Sequence, residues 1–322
     1  MNGLDDKSRG TERPTTDEWL ARAAHQYYVL GLTQNDVAKR LGVTRFKAHR
    51  MIATARERGM VRIEIDVASS SRLDLERRII ERYGLSQVMV TPSDSTDTFS
   101  LSQVIGHYAA SMIAPMIVDD MTVALSWGHT LRSLATSIEP ASYRNLHIVP
   151  LIGSLSQKSS IDRFEATTML AQKLGGECYY LPSPIICDNK TAQKAIASQP
   201  VLQRVLTQGR QADLSIVSVG GEHLSSLRQT GVLNDGEYES VCAAGCIGNF
   251  LGRFIDNKGV PIDHEINERI VGVSPVESKQ IPSRILVSGG PNKTMAIHAV
   301  IANGYATGLI TDEDTANALL EI

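Results

Sequence analysis

Four short clusters of glycine and polar residues follow apolar, strand-like runs of the sequence. They lie at residues 126–130, 153–154, 220–221 and 289–293. Glycine lets a backbone approach a small molecule closely, and hydroxyl, imidazole and ammonium groups supply hydrogen bonds to it. This composition is typical of a cradle for an anion or a polyol rather than of a set of catalytic acids and bases.

The first cluster contains Ser126, Gly128, His129 and Thr130 and opens a segment with helical periodicity. The N-terminus of a helix has backbone N–H groups without partners, and these attract anions. The alternative is a plain strand-to-helix turn in which Thr130 acts as the cap.

The other clusters repeat this arrangement further along the chain. They contribute Gly153 and Ser154, then Gly220 and Gly221, and finally Gly289, Gly290 and Lys293. Lys293 can hold a phosphate or a sugar hydroxyl, although a lone lysine is more often simply solvated.

Apolar strand-like runs alternate with helical segments over residues 72–322, which is typical of a mostly parallel sheet covered on both faces. The predicted strands are 88–90, 121–126, 146–151, 177–181, 214–219, 285–287 and 308–310, and the predicted helices include 99–116, 161–174 and 295–303. In such sheets ligands bind at the carboxyl ends of the strands. We therefore expect the four clusters to converge on one crevice.

A second kind of binding site is indicated near the N-terminus, where the pattern of residues 34–56 predicts two short helices. Thr33 and Thr44 are suited to cap them, and Gly42 is suited to end the first, because glycine adopts the left-handed conformation cheaply. This pattern predicts a helix-turn-helix, supported by an earlier helix over 17–30 in which Tyr27 and Tyr28 pack in the core. A short strand, either a wing or an exit strand, is predicted over 61–65.

Residues 33–62 contain eight basic and two acidic residues, although the whole chain carries a net charge of −3. A cationic segment on an acidic protein is the electrostatic signature of a polyanion site, so we predict operator DNA as the partner. The alternative is an ordinary helical hairpin with a solvated basic face. The predicted DNA-binding residues are Arg40, Thr44, Arg45, Phe46, Lys47, His49 and Arg50.

The fold class that follows is a small all-α helix-turn-helix domain before a mostly parallel three-layer α/β effector domain. The predicted limits are 15–66 for the first domain, 67–71 for a linker of small polar residues and 72–322 for the second. Four cysteines without zinc-ligand spacing indicate thiols in a reducing compartment and no metal site. No apolar run reaches the roughly 20 residues that span a bilayer. We expect a cytoplasmic protein without a cofactor.

Several motifs together resemble the SorC-type family of transcriptional regulators. They are LTQ at 32–34, LGVTR at 41–45, GMV at 59–61, LSWGHTL at 125–131, GNFLGRFID at 248–256, IP at 281–282, VSGGPNK at 287–293 and TDE at 311–313. The resemblance implies an effector domain similar in fold to glucosamine-6-phosphate deaminase and ribose-5-phosphate isomerase. It also implies a sugar, polyol or sugar-phosphate ligand and a homo-oligomer, a dimer or tetramer, that controls a carbohydrate operon.

The same resemblance implies that Ser126, Gly128 and Thr130 hold a phosphate or a terminal hydroxyl and that Lys293 reaches that group from the opposite loop. The family commonly has Gly-Asp where this chain has Gly248 and Asn249. An aspartate only accepts hydrogen bonds, whereas an asparagine both donates and accepts. Together with Ser154, which replaces a frequent glycine, Asn249 favours a different or unphosphorylated ligand such as a polyol.

The deaminase-like fold leaves an enzyme as the alternative function, a sugar-phosphate isomerase or deaminase. Such an enzyme needs a general base near the substrate carbon, and the candidate residues are Asp119, Asp120, Asp188, Asp213, Glu222 and His223. A catalytic chain gains nothing from a basic helix-turn-helix. We therefore predict a ligand-responsive regulator and not an enzyme.

Overall fold

The computed structural model describes residues 16–61, 67–93, 98–154 and 166–322. The chain divides into two compact units, Met1–Val67 and Ala68–Ile322. No described helix is both long and apolar enough to cross a lipid bilayer.

The N-terminal unit is helical. It contains α1 (Thr16–Ala24), a π-helical turn (His25–Val29), α2 (Gln34–Leu41) and α3 (Arg45–Glu57). The Thr33 hydroxyl accepts a hydrogen bond from the Asp36 N–H, and the Thr44 hydroxyl accepts one from the Lys47 N–H. Gly42 ends α2 with φ 63° and ψ 34°. The predicted helix-turn-helix, both its caps and its glycine turn are confirmed.

Small and aliphatic side chains form the core of this unit. The buried residues are Leu20, Ala23, Ala24, Val37, Ala38, Ala48, Ile52 and Ala55. Tyr27 packs against them as predicted. The prediction that Tyr28 lies in the core is wrong, because 36% of its surface is exposed. The π-helical turn changes the 3.6-residue period on which that prediction relied.

The segment that follows departs from the predictions. The strand predicted over 61–65 falls mainly on residues 62–66, which lie outside the described residues. The linker predicted over 67–71 is not irregular, because Val67 begins the helix α4 (Val67–Tyr83). The side chains of Leu75 and Ile79 are buried and hold the later turns of α4 in place. Once those turns have formed, extending the helix toward Val67 adds one hydrogen bond per residue.

In the described residues of the second unit, seven strands form one sheet, and all their pairings are parallel, as predicted. The strands are β1 (Gln87–Thr91), β2 (Thr122–Leu125), β3 (His147–Pro150), β4 (Glu177–Cys178), β5 (Leu214–Val217), β9 (Ser283–Val287) and β10 (Gly308–Asp312). Their order is β1-β10-β9-β5-β2-β3-β4. β4 is shorter than predicted because it is an edge strand whose last ladder bond runs from the Tyr179 N–H to the Ile148 carbonyl.

Helices cover both faces of this sheet. They are α5 (Thr98–Ile113), α6 (His129–Ser137), α7 (Ala166–Leu174), α8 (Lys190–Ala197), α9 (Pro200–Arg210), α10 (Ser225–Gln229), α11 (Asp235–Ala243), α12 (Glu265–Glu268), α13 (Pro275–Ser278), α14 (Thr294–Ala302) and α15 (Glu313–Glu321), with 3-10 turns at Ala114–Met116 and Pro291–Lys293.

Alternation along β2 shows the three layers. Val123 and Leu125 join a hydrophobic cluster with residues of α5, α6 and α7. Ala124, which points to the other face, joins a second cluster with residues of α4, α9, α14 and α15. The predicted three-layer architecture is confirmed.

A second, antiparallel sheet was not predicted. It is formed by β6 (Val219–Gly220), β7 (Gly248–Phe250) and β8 (Arg253–Ile255). The run predicted as one strand over 214–219 therefore divides at Ser218, where the chain leaves the large sheet and pairs with β7. Short strands whose partners are distant in sequence carry no periodic signal of their own.

Candidate functional site

A cavity of about 560 Å³ lies in the second unit at the carboxyl ends of the adjacent strands β2, β5 and β9. It is lined by Phe99, Ser102, Trp127, Gly128, His129, Thr130, Ser218, Val219, Gly220, Gly221, His223, Leu224, Leu227, Gln229, Asn249, Leu251, Gly252, Gly289, Gly290, Pro291, Asn292 and Lys293. Three of the four predicted clusters contribute to this lining. Parallel strands end on the same edge of the sheet, so loops distant in sequence converge there.

Nine of the twelve predicted ligand-binding residues line the cavity. They are Gly128, His129, Thr130, Gly220, Gly221, Asn249, Gly289, Gly290 and Lys293. Ser126, Gly153 and Ser154 are not among the lining residues.

Ser126 lies just behind the lining and ties two strand ends together. Its side chain is buried, and its hydroxyl accepts a hydrogen bond of 3.2 Å from the N–H of Ser218. Ser126 thus supports the loop that carries Ser218 into the cavity wall, a positioning role rather than a contact with the cavity.

The cluster at Gly153 and Ser154 packs in a different direction. The Ser154 N–H donates to the Ser183 carbonyl at 2.8 Å, and the Ser154 carbonyl accepts from the Ile185 N–H at 3.0 Å. This segment is therefore engaged with residues 183–185. The next residues, 155–165, lie outside the described part of the chain, so a ligand role for this loop stays a prediction.

The N-terminus of α6 faces the cavity. Its N-cap residue is Gly128, which has no side chain with which to cap the helix. Thr130 follows in the first turn, is only 2% exposed and lines the cavity. The partial positive charge of a helix N-terminus favours an anion or a hydroxyl oxygen at this position.

The loop at Gly289 and Gly290 is held from behind by the buried carboxylate of Asp312. The Gly290 N–H donates to Asp312 Oδ2 at 2.9 Å and to Thr315 Oγ1 at 2.8 Å. Thr315 Oγ1 also donates to Asp312 Oδ2 at 2.7 Å. Because these bonds already use the Gly290 N–H, this loop presents its lysine to the cavity rather than that backbone donor.

Lys293 is the charged residue of the cavity lining. Burial lowers the pKa of its ammonium group, and the nearby carboxylate of Asp312 opposes this shift. An ammonium ion that has lost part of its hydration gains more from an anionic or hydroxyl ligand than a fully solvated one does. The lysine and the N-terminus of α6 provide two positively polarised groups in one cavity.

Asn249 contributes a neutral hydrogen-bonding group to the cavity wall. It is 6% exposed, and its carboxamide has no hydrogen bond to another described residue. It lies opposite Gly220 in the ladder between β6 and β7. A Cβ atom at Gly220 would lie 1.8 Å from Asn249 Oδ1, so the carboxamide occupies the space that only glycine leaves open. Because Asn249 lines the cavity, its carboxamide can donate and accept hydrogen bonds there.

Two aromatic residues of the wall were not predicted as ligand-binding residues, although Trp127 lies within the first glycine cluster. Phe99, on α5, packs edge to face against the imidazole of His129 with ring centroids 5.6 Å apart. Trp127 also lines the cavity. The aromatic ring of Phe99 had no local signal, because α5 comes from a different part of the chain from the glycine clusters.

Most of the carboxylates considered as general bases lie elsewhere. Asp119 and Asp120 bind Arg144, and Asp213 accepts the Thr122 N–H at 2.7 Å. Asp119, Asp120 and Asp213 immediately precede strands, so they lie at the amino edge of the sheet, away from the cavity. Asp188 is exposed and is not a lining residue.

Glu222 and His223 lie closer to the cavity. His223 lines it, and its Nε2 lies 3.6 Å from Glu222 Oε1. Both side chains are more than half exposed. A solvated pair of this kind is typical of a polar cavity rim, whereas catalytic bases are usually held in a desolvated site.

In the N-terminal unit, α3 exposes a basic face. Arg40, Thr44, Arg45, Phe46, Lys47, His49 and Arg50 are all exposed. The buried residues of α3 are Ala48, Ile52 and Ala55, on the opposite side of the helix. The end of α3 is fixed to α1 by an ion pair of 2.7 Å between Arg58 and Asp17. The predicted DNA-binding residues are thus all exposed: Arg40 lies on α2, Thr44 caps α3, and the other five lie on α3, whose opposite face is buried.

Comparison with known proteins gives consistent results. Residues 68–321 match the family model described as "Putative sugar-binding domain". The erythritol catabolism regulatory protein EryD of Brucella abortus (strain 2308) is 31% identical over 307 residues, which cover 94% of this chain and 96% of that protein. The deoxyribonucleoside regulator of Bacillus subtilis (strain 168) is 28% identical over 301 residues, covering 92% and 96%.

A solved structure shares the fold. The full-length sorbitol operon regulator SorC from Klebsiella pneumoniae aligns with a TM-score of 0.72 at 23% identity, covering 96% of this chain and 100% of that one. The family match spans most of the chain, and EryD is similar over nearly its whole length. This chain therefore belongs to the SorC-type family of sugar-binding transcriptional regulators.

Proposed function

We propose that a small sugar, polyol or sugar phosphate binds in the cavity and changes the affinity of the helix-turn-helix for operator DNA. The observation that carries the proposal is the convergence of three separate glycine and polar clusters on one cavity of about 560 Å³. A volume of this size is in the range of small-molecule sites. The target is an operon for the breakdown of a carbohydrate or polyol.

The chemistry of the wall supports this class of ligand. Thr130, Asn249 and Lys293 offer a hydroxyl, a carboxamide and an ammonium group, which suit the hydroxyls of a polyol. The N-terminus of α6 and Lys293 together suit a single phosphate. The rings of Phe99 and Trp127 offer apolar surface to the carbon-bound hydrogens of a sugar.

DNA binding is proposed for the exposed basic face of α3. Arg40, Lys47 and Arg56 would contact phosphates, which gives a salt-dependent affinity. Arg45, Phe46, His49 and Arg50 would reach base edges in the major groove. We further propose that two such heads of a homo-oligomer bind two half-sites and that the protein acts in the cytoplasm.

Related regulators guide the choice of probes. They include regulators of erythritol catabolism and of deoxyribonucleosides, a polyol and a class of sugar derivative. These relatives are regulators, which favours regulation over catalysis. We therefore do not propose an isomerase or deaminase activity.

The experiment has two stages. The full chain is first used to select high-affinity duplexes from a random DNA library. Binding to the selected duplex is then measured with a panel of tetritols, pentitols, hexitols, free sugars and their monophosphates. We expect one chemical class to change the apparent affinity at least about tenfold, the size of a typical allosteric coupling.

Two variants separate the sites. Arg45→Ala should weaken DNA binding without changing effector binding measured by calorimetry. Lys293→Ala should remove the response to the effector and leave DNA binding in its absence intact. Enzymatic turnover of any panel compound, or a panel that changes nothing, would contradict the proposal.

A further inference from the structure

Phe46 is the most exposed large apolar side chain of α3. About 70% of its surface is accessible, and it occupies the second helical position after the N-cap Thr44. Single exposed apolar residues are common and need no explanation by themselves. The feature that needs an explanation is the position of Phe46 on α3, and not its exposure alone.

Its position on α3 follows from a rotation of about 100° per residue. Ala48, Ile52 and Ala55, which are buried, lie roughly 180–240° around the helix axis from Phe46. Phe46 therefore points directly away from the core of the unit.

The residues that share this outward stripe are polar or small. His49 and Arg50 follow one turn later, and both are exposed. Ala53 follows after a further turn and is partly exposed. Phe46 thus stands at the N-terminal end of a stripe whose next long side chains, His49 and Arg50, can donate hydrogen bonds.

The positive charges around this stripe indicate which kind of partner can cover it. Arg45 and Lys47 flank Phe46, and Arg50 lies one turn away, all of them exposed. An apolar protein partner would have to desolvate these cations, which is costly without matching carboxylates. A polyanion neutralises them instead. The partner that fits both the charges and a helix of this kind is duplex DNA.

Within the major groove, one base-edge group is large and apolar. It is the C5-methyl group of thymine, which is larger than the C5 hydrogen of cytosine, whereas the purine edges present hydrogen-bond donors and acceptors. A phenyl ring offers neither donors nor acceptors, so it gains most by covering that methyl group. The N-terminal residues of a recognition helix are those that reach base edges, and Phe46 lies in the first turn of α3.

We infer that Phe46 is a specificity-determining residue that recognises a thymine of the operator through its C5-methyl group. This inference rests on the proposed binding of DNA by α3. It assigns to one side chain a hydrophobic readout that is distinct from the hydrogen-bonding readout of Arg45 and Arg50.

The test removes the methyl group and nothing else. Each thymine of the duplex selected by the full chain is replaced in turn by deoxyuridine, and affinities are measured for the wild type and for Phe46→Ala. We expect deoxyuridine at one position in each half-site to weaken wild-type binding about fourfold, the effect of one buried methyl group. Phe46→Ala should bind the thymine and deoxyuridine duplexes equally well.

Arg45→Ala is the matched control. It should lower the affinity for both duplexes and keep the ratio between them, because Arg45 does not contact the methyl group. Phe46 is exposed, so its replacement should leave the thermal unfolding midpoint of the unit nearly unchanged. Measuring this midpoint shows whether the Phe46→Ala variant is still folded.

Two results would overturn the inference. One is a selected operator in which no thymine is sensitive to deoxyuridine in the wild type. The other is a sensitivity that Phe46→Ala retains in full. A chain that enriches no DNA sequence would instead overturn the proposed function, and the inference would fall with it.

Discussion

At the scale of single residues, the lysine of the cavity is influenced by a buried carboxylate behind the cavity wall. Asp312 is only 1% exposed, and its two oxygens accept bonds from the Gly290 N–H and from Thr315. It therefore holds the loop that carries Lys293 and also provides negative charge near the ammonium group. Burial still dominates, because the pKa of Lys293 is lowered overall.

This balance predicts a stability effect that depends on pH. A lysine whose pKa is lower in the folded state binds its proton more weakly than it does in the unfolded chain. The charged form thus costs stability at neutral pH, and the cost disappears as the pH rises through the lowered pKa toward 10.5. Lys293→Met should raise the thermal unfolding midpoint at pH 7, by an amount that shrinks as the pH approaches 10.5.

Lys258→Met serves as the control, because Lys258 is an exposed lysine of the same unit. It corrects for the loss of one surface charge. A Lys293→Met variant that is destabilised at neutral pH, or whose advantage grows with pH, would contradict the account of this lysine.

At the scale of elements, the helix-turn-helix depends on the residues that begin and end its two helices. Thr33 and Thr44 cap α2 and α3 through their hydroxyls, and Gly42 turns the chain between them with a left-handed conformation. Among the described residues other than Leu41 and Val43, none has a heavy atom within 4 Å of the position that a Cβ at Gly42 would take. Any cost of a side chain there therefore arises from the left-handed backbone itself and not from a clash with another part of the unit.

Gly42→Ala should accordingly destabilise the N-terminal unit by about 1–2 kcal/mol, the cost of the left-handed region for a residue with a Cβ. Chemical denaturation followed by helical circular dichroism measures this change. Gly236→Ala is a suitable control, because Gly236 lies within the helix α11 and its φ is not in the left-handed region. Alanine should be tolerated or favoured there. Equal effects of the two substitutions would contradict the role assigned to Gly42.

At the scale of the whole molecule, the chain combines a basic helical unit with a larger α/β unit that contains the cavity. The regulator family to which it belongs joins these two parts in one chain. The proposed mechanism requires that ligand binding differ in free energy between two arrangements of the protein. The structure describes each unit, and the DNA and effector assays measure their coupling.

If two heads of a homo-oligomer bind together, the selected DNA should contain an inverted repeat. Its half-sites should be separated by one helical turn, about 10–10.5 base pairs, or a multiple of it. Light scattering should give a particle of at least two chains in the absence of DNA. A monomer that selects a single unrepeated site would contradict this prediction.

Local chemistry made much of the fold predictable from the sequence. The caps at Thr33 and Thr44 and the turn at Gly42 depend on neighbours in the chain, and so do the periods of the buried strands and helices. The position of the glycine clusters after strands also followed from the sequence. With a parallel sheet expected, the convergence of three clusters at one edge could be anticipated.

The tertiary structure decided what depends on partners distant in sequence. Strand order brought β2, β5 and β9 together and left Gly153 and Ser154 outside the cavity lining. The pairing of β6 with β7 placed Asn249 over Gly220. Packing of α5 brought Phe99 to His129. Each of these contacts joins residues far apart along the chain, so no local sequence pattern encodes it. The caps, turns and periods, in contrast, depend on residues that are neighbours in the sequence and could be predicted from it.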